Sequence, residues 1–309
     1  MRRKFVRALV AGIVAVTTIS ILIAYRSDAE RVIGIPTSSA ATPSGKSTGF
    51  YLDIGASSSL GTQPTGVPAH NGHRTKKGYS DDLVSFESMH GFALTMREIG
   101  CPGETMQSML GQLKDACYTL PNTQLTIATN YLSTHPGEVG VVTIDLGFNN
   151  IRPCLTATAT IASCVNRGIA AVRNDLPTIV GRLQRAAGPL VHFVGLGYGD
   201  PFLAYYLQGP TGRVIAQQGL AVMNELNAVL QQVYNERHVP MANVAAAYQS
   251  ASTNLVTTVN HGAVPKNVAQ ACAWTWMCTP PPFGPDDHPN NAGYSIIAHA
   301  IVAKLPRLT

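Results

Sequence analysis

Four short segments of this 309-residue sequence hold residue types that can carry out acyl transfer. The first contains Ser57, which stands among small residues just after a strand-like run at residues 50–54. A serine where a strand turns into a helix can expose its hydroxyl and direct its backbone N–H at an oxyanion. A plain serine-rich turn or helix cap has the same composition. The segment is not the G-x-S-x-G of a nucleophile elbow, because residue 59 is serine.

The second and third segments offer hydrogen-bond donors. Gly103 precedes a helical pattern, where a glycine can present its backbone N–H without crowding a ligand. Asn149 follows an apolar run at residues 139–146, and a side-chain amide there can donate to developing negative charge. Each segment taken alone is also typical of an ordinary turn.

The fourth segment contains His288, preceded by Asp286 and Asp287 in a loop before the last predicted helix. A histidine close to a carboxylate can act as a general base that is held in one tautomer. Two acids and a histidine also suit a metal, but no second cluster of ligands supports that interpretation. We therefore expect no metal site.

Strand-like and helical patterns alternate through the body of the chain. Strands are predicted at 50–54, 92–96, 139–146 and 191–196, and helices at 81–90, 124–133, 162–187, 213–236 and 293–305. We expect Pro177 to break the third of these helices. The alternation predicts an α/β sandwich around a mostly parallel sheet, with the ligand site beyond the carboxyl ends of its strands. One domain is predicted over residues 49–309.

The N-terminus has the features of an export segment. A basic start precedes an apolar run at residues 8–25, and small residues then favour cleavage after Ala29. An uncleaved anchor is the alternative, because 18 apolar residues nearly span a bilayer and would tether the protein to the membrane. Residues 30–48 are rich in Ser, Thr and Pro and are predicted to be a linker. Either way, we expect the domain outside the cell or in its envelope.

The net charge of +5 comes mainly from this export segment, residues 1–29. The remaining residues hold 17 basic and 16 acidic side chains, so the chain has no charge excess for binding nucleic acid. Residues 40–47 resemble a phosphate-binding loop, but no strand precedes them. Residues 195–200 lack the third glycine of a dinucleotide fingerprint. We expect no cofactor.

Six cysteines fit an oxidising compartment and are expected to form disulfides. They form three groups along the chain: Cys101 and Cys117, Cys154 and Cys164, Cys272 and Cys278. Six cysteines allow 15 connectivities, and this clustering favours three local loops. The spacings match no zinc pattern.

Taken in order, the four segments resemble the SGNH (GDSL-type) hydrolase family. The phrases GCPGETM, TIDLGFNN, CAWTWMC and DDHPNNAGY are similar to its secreted actinobacterial branch, which has three disulfides. The resemblance runs from Phe50 to the C-terminal helix and implies a three-layer, flavodoxin-like α/β/α sandwich. By matched position it makes Ser57 the nucleophile and His288 the base. It makes Gly103, Asn149 and the N–H of Ser57 the oxyanion hole.

This sequence departs from the family pattern at three positions. Ala56 and Asn150 stand where the family usually has aspartate, so the geometry of both turns is expected to differ. The common D-x-x-H spacing would place the acid at Pro285. We expect Asp286 to orient His288, with Asp287 or a backbone carbonyl as the alternatives.

The resemblance implies a monomeric, exported serine esterase or lipase that hydrolyses a small-molecule or lipid ester. One alternative keeps the chemistry and changes the substrate to O-acetyl groups of cell-envelope sugars. The other is a non-catalytic surface protein that binds its ligand on a degenerate hydrolase fold, which Ala56 and Asn150 leave open.

Overall fold

The computed structural model describes residues 47–65, 72–156 and 158–308. The predicted export segment and residues 30–46 of the predicted linker lie outside these ranges. The first strand begins at Ser47, two residues before the predicted start of the domain. Across the described ranges, no helix has the length and apolar character needed to cross a membrane.

A five-stranded, wholly parallel sheet forms the centre of the fold, with strand order β2-β1-β3-β4-β5. The strands are β1 Ser47–Gly55, β2 Phe92–Glu98, β3 Val139–Asp145, β4 His192–Leu196 and β5 Met241–Ala242. A separate antiparallel pair comprises β6 Leu255–Thr258 and β7 Gly262–Pro265. The predicted α/β sandwich is confirmed, although β5 has only two residues and its sequence predicted no strand.

Helices pack on both faces of the sheet. They are α1 Tyr79–Met89, α2 Met106–Met109, α3 Gln124–Thr134, α4 Phe148–Ile151, α5 Ala162–Ala187, α6 Gly209–Glu236, α7 Val244–Ala247, α8 Lys266–Trp274 and α9 Asn291–Val302. Short 3-10 helices occur at Arg152–Cys154 and Pro201–Gln208.

The predicted break at Pro177 is wrong, because α5 is continuous through that residue. A proline inside a helix costs about 3 kcal/mol through the lost hydrogen bond and the clash of its ring. The neighbouring Leu176, Ile179 and Val180 are fully buried, and each such side chain contributes about 1.5–3 kcal/mol. Packing of this face therefore outweighs the local preference to end the helix.

Alternating side chains of the strands supply two separate cores. Leu52 and Ile54 of β1 belong to the core beneath α3, α5 and α6, whereas Tyr51 belongs to the core beneath α1 and α9. In β3, Val142 and Ile144 belong to the first core and Val141 to the second, as the two-residue period of a strand requires. Its residues are buried on both faces, which explains its nearly continuous apolar sequence.

Three disulfides join the local pairs that the cysteine spacing favours: Cys101–Cys117, Cys154–Cys164 and Cys272–Cys278. The first closes the loop that contains Gly103, and the second closes the loop after α4. A closed loop of 10–16 residues stabilises a fold by roughly 3 kcal/mol on the chain-entropy model. Both loops follow the carboxyl ends of strands, so the disulfides restrain the edge of the sheet where the candidate residues lie.

Candidate active site

Ser57 lies in a tight turn directly after β1. Its carbonyl accepts hydrogen bonds from the backbone N–H groups of Leu60 and Thr62, at 3.2 and 3.1 Å. Gly55 ends the strand where no side chain fits, because a Cβ there would lie 2.7 Å from Cβ of Asp145 on β3. This close approach brings the ends of β1 and β3 together and leaves the half-buried Ser57 at the edge of the sheet.

His288 lies in the loop between α8 and α9, and the chain is anchored on both sides of it. Its carbonyl accepts a hydrogen bond from the N–H of Trp276 at 3.1 Å. Two residues later, Asn290 caps α9 by accepting from the N–H of Gly293, and its amide also donates to the carbonyl of Ala273. These hydrogen bonds fix the loop backbone independently of any contact that the histidine side chain makes.

Three of the predicted residues lie in one hydrogen-bonded row. Nε2 of His288 is 2.8 Å from Oγ of Ser57, which is 231 residues away in sequence. Nδ1 of His288 is 2.7 Å from Oδ1 of Asp286, and the same oxygen accepts the backbone N–H of His288 at 2.9 Å. Asp287 is farther away, with Oδ1 at 3.8 Å from Nδ1. A carboxylate only accepts, so Nδ1 carries the proton and the lone pair of Nε2 faces the serine hydroxyl.

The electrostatic environment of His288 and Asp286 favours the charged forms of both side chains. Burial alone would lower the pKa of His288, but its hydrogen bond to Asp286 and the charges of both aspartates raise that pKa above its ordinary value. Burial acts to raise the pKa of Asp286, but the hydrogen bonds from His288 and the charges of His288 and Arg152 together outweigh it, and the pKa is lowered. Asp286 is therefore ionised at neutral pH and stabilises an imidazolium.

The two other predicted donors border the same cleft as Ser57 and His288, which has a volume of about 260 Å³. Gly103 has a φ of +80°, a backbone conformation that glycine adopts without strain. The amide of Asn149 donates to the carbonyl of Glu104 at 3.1 Å, and an amide has a second N–H to offer. Among the described residues, no acceptor is paired with the backbone N–H of Ser57 or Gly103.

Comparison with known proteins decides the family. Residues 55–296 match the model of the GDSL-like lipase/acylhydrolase family, which is well over half of the chain. The chain belongs to this family. It is therefore a carboxylic ester hydrolase. No curated protein matches it in sequence.

Solved structures share the fold of this GDSL-type hydrolase at low sequence identity. Phospholipase A1 from Streptomyces albidoflavus NA297 is 18% identical with a TM-score of 0.53, and the match covers 83% of this chain and 99% of that one. An extracellular lipase from Streptomyces rimosus is 17% identical with a TM-score of 0.52, covering 83% of this chain and 100% of the lipase. At this identity the likeness establishes the three-layer α/β/α architecture.

A buried network that the sequence does not predict connects the turn of Ser57 to the loop of Gly103. The Gln124 amide accepts the N–H of Gly55 at 2.8 Å and donates to its carbonyl at 2.9 Å. It also donates to the carboxylate of Glu104 at 3.2 Å, and Ser108 donates to the same carboxylate at 2.6 Å. Burial raises the pKa of Glu104 to about 7. No motif marks Gln124, since these partners lie 20 and 69 residues away.

Asn150, one of the departures from the family pattern, joins α4 to α2. Its side-chain oxygen accepts the N–H of Met106 at 3.1 Å, and its amide nitrogen donates to Oε1 of Gln107 at 2.9 Å. An aspartate could make the first bond but could not donate the second. The asparagine therefore satisfies both partners in this turn. The other departure, Ala56, is buried, and its carbonyl accepts the hydroxyl of Ser59 at 2.7 Å.

Two further acids lie buried on the strands behind the site. Asp53 accepts hydrogen bonds from Tyr79 at 3.0 Å and Thr143 at 2.8 Å, and burial raises its pKa to about 7. Burial likewise raises the pKa of Asp145 to about 6. Neither residue borders the cleft of Ser57. The charge of His288 acts on Asp145, in the direction that lowers its pKa.

The atoms that could bind a metal are engaged otherwise. Donor atoms of Asp286, Asp287 and His288 lie within 4.8 Å of one another. However, the two nitrogens of His288 contact Ser57 and Asp286, and Asp287 pairs with Arg152. The two other such groups in the described part of the chain each include a disulfide pair, whose sulfurs are not thiolates.

Proposed function

We propose that the hydrolase is an exported serine esterase in which Ser57 is the nucleophile, His288 the general base and Asp286 the acid that orients it. The observation that carries the proposal is the row of 2.8 and 2.7 Å contacts through the two nitrogens of His288. Nucleophile, base and orienting acid each lie within hydrogen-bond reach of the next, which is the arrangement that activates a serine.

The reaction proceeds through an acyl-enzyme. His288 takes the proton of Ser57 at Nε2 as Oγ attacks the ester carbonyl carbon, and Asp286 stabilises the resulting imidazolium. The tetrahedral intermediate collapses, and His288 returns the proton to the leaving alcohol. A water molecule that loses a proton to His288 then attacks the acyl carbon, which releases the carboxylic acid and restores the serine.

The oxyanion of each tetrahedral intermediate is bound by the backbone N–H groups of Ser57 and Gly103 and the amide of Asn149. This assignment is supported by the position of all three residues around one cleft with His288. Donors that are fixed before the reaction stabilise developing charge without reorganising, and each contributes roughly 10²–10³ in rate.

The disulfides and the lining of the cleft support the proposed compartment and substrate. Three disulfides support an extracellular or envelope location, because such bonds persist in oxidising compartments. The cleft places apolar residues such as Phe148 and Pro102 beside the polar catalytic groups. We propose that the protein acts as a monomer, without a cofactor, on a small-molecule or lipid ester. The apolar and polar groups that line the cleft suit such a substrate.

Replacement of Ser57 tests the proposal. Ser57→Ala should abolish turnover of nitrophenyl acetate, butyrate and octanoate, whereas the exposed serine of α1, changed as Ser85→Ala, should leave turnover unaltered. Wild-type rates in folded Ser57→Ala would overturn the assignment. Running acetylated cell-envelope glycans in the same panel distinguishes a sugar O-acetyl esterase from an enzyme for acyl esters.

A further inference from the structure

Arg152 borders the active-site cleft and pairs with the aspartate next to the base. Its Nε lies 2.5 Å from Oδ2 of Asp287. Arg152 begins the 3-10 helix directly after α4, three residues beyond Asn149, and the Cys154–Cys164 disulfide closes the segment that follows. Its side chain is half exposed, whereas that of Asp287 is 8% exposed.

Asp287 therefore lies between two groups, the guanidinium of Arg152 and the imidazole of His288. One of its oxygens is bound by Arg152, and the other lies 3.8 Å from Nδ1 of His288. Asp286 already occupies Nδ1 at 2.7 Å. Two adjacent carboxylates thus compete for one imidazole nitrogen, and Arg152 binds Asp287 through Oδ2, the oxygen other than the one 3.8 Å from His288.

We propose that Arg152 is a positioning residue of this esterase. By binding Asp287, it keeps that carboxylate from Nδ1 of His288, so that Asp286 alone orients the ring and the base stays neutral enough to accept the serine proton. The inference rests on the proposed roles of Ser57 and His288.

The charged and titratable groups around His288 come from several elements. They are Asp286 and Asp287 of its own loop, Arg152 of the 3-10 helix, Asp145 at the end of β3, Tyr205 of the second 3-10 helix beside Arg152 and Asp287, and Tyr294 of α9 near Asp286. Of these, Arg152 is the one cation that opposes the raised pKa of His288.

Removing that cation changes the charge balance next to the base. With Arg152 present, the two aspartates and the arginine sum to one negative charge. Without it, two uncompensated carboxylates face the imidazole, and an opposite charge within about 4–6 Å favours the protonated form. The imidazolium would then be stabilised in the free enzyme, where kcat/KM requires the neutral base.

Profiles of kcat/KM against pH test the proposal in four variants and one control. Arg152→Gln should move the acid limb upward by about half a pH unit to one pH unit, and Asp287→Asn should move it downward. The double variant should return toward the wild-type profile, and Arg152→Lys should retain most of the charge effect. Arg185→Gln changes an arginine near the starts of β4 and β5, at the opposite end of the sheet, and should leave the profile unmoved.

A second measurement does not depend on turnover. The Nδ1 proton of His288 should give a downfield NMR resonance whose titration midpoint rises in Arg152→Gln and falls in Asp287→Asn. Unmoved midpoints in both variants, with the fold intact, would overturn the role of Arg152. If wild-type Ser57 fails to react with a phosphonate while the midpoints shift as stated, the proposed esterase mechanism fails and the electrostatic role of Arg152 stands.

Discussion

The side chain of Gln124 hydrogen-bonds both the N–H and the carbonyl of Gly55, two residues before Ser57. Gly55 also pairs with Asp145 of β3, so the end of the strand is held both by a neighbouring strand and by a helix side chain at the first residue of α3. The same amide binds Glu104, which follows Gly103 and whose carbonyl accepts the amide of Asn149. One buried side chain thus connects the turn of Ser57 with the loop that holds the proposed oxyanion donor Gly103 and that Asn149 contacts.

Replacing Gln124 should lower turnover more than substrate binding. Gln124→Leu leaves the N–H of Gly55 without its acceptor, removes the hydrogen bond to Oε2 of Glu104 and lets the two loops separate. We expect kcat to fall by about 10–100-fold with a smaller change in KM, because small displacements of catalytic groups cost about this much. Gln232→Leu on the exposed face of α6 is the matched control. Unchanged kcat in folded Gln124→Leu would contradict the positioning role.

Asn149 should matter through transition-state stabilisation. Asn149→Ala removes one proposed oxyanion donor, and kcat/KM for a nitrophenyl ester should fall by roughly 10²–10³. The exposed Asn130 of α3, changed to alanine, serves as the control. A loss of less than threefold in Asn149→Ala would show that its amide does not face the reacting oxygen.

The activity of the wild-type enzyme should depend on pH in a direction fixed by His288. Its pKa is raised above the ordinary value, and the base must be neutral, so the acid limb of kcat/KM should lie above the pKa of a free histidine, about 6.5. Asp286→Asn removes the main stabiliser of the imidazolium. The limb should move to lower pH and the plateau should fall by roughly 10²–10⁴. If the limb stays in place, Asp286 is not the orienting acid.

Asp53 should make the fold less stable as pH rises. Its folded-state pKa of about 7 exceeds the unfolded value of about 3.9, so the native state binds the proton more tightly between these values. The free energy of unfolding therefore decreases as pH rises from about 4 to 7. Asp53→Asn keeps an acceptor for Tyr79 and Thr143 and should raise stability at pH 8 by about 1–3 kcal/mol.

Denaturant unfolding at pH 5 and pH 8 measures this effect. Wild type should lose stability between the two conditions relative to Asp53→Asn, and the exposed Glu225→Gln on α6 should follow wild type. An Asp53→Asn variant that is destabilised equally at both pH values would contradict a change in the protonation of Asp53 between pH 5 and pH 8.

Local patterns predicted the four long strands and the four site segments, because apolar periodicity and turn composition are encoded in neighbouring residues. They did not predict Gln124 or Arg152, whose partners lie 69 and 135 residues away and form only once the sheet is assembled. The predicted break at Pro177 is wrong for a related reason, since tertiary burial overrides the local preference of proline to end a helix. The sequence already favoured Asp286 over Asp287 as the orienting acid, and in the structure Nδ1 of His288 lies 2.7 Å from Asp286 and 3.8 Å from Asp287.

Covalent trapping tests the central claim most directly. An alkyl phosphonate nitrophenyl ester should attach stoichiometrically to wild-type enzyme, and peptide mass spectrometry should place the adduct on Ser57. Labelling should be abolished in Ser57→Ala and strongly slowed in His288→Ala, while Ser85→Ala reacts as wild type. An adduct on another residue such as Ser59, or ester turnover by an enzyme that the phosphonate leaves unlabelled, would contradict the account.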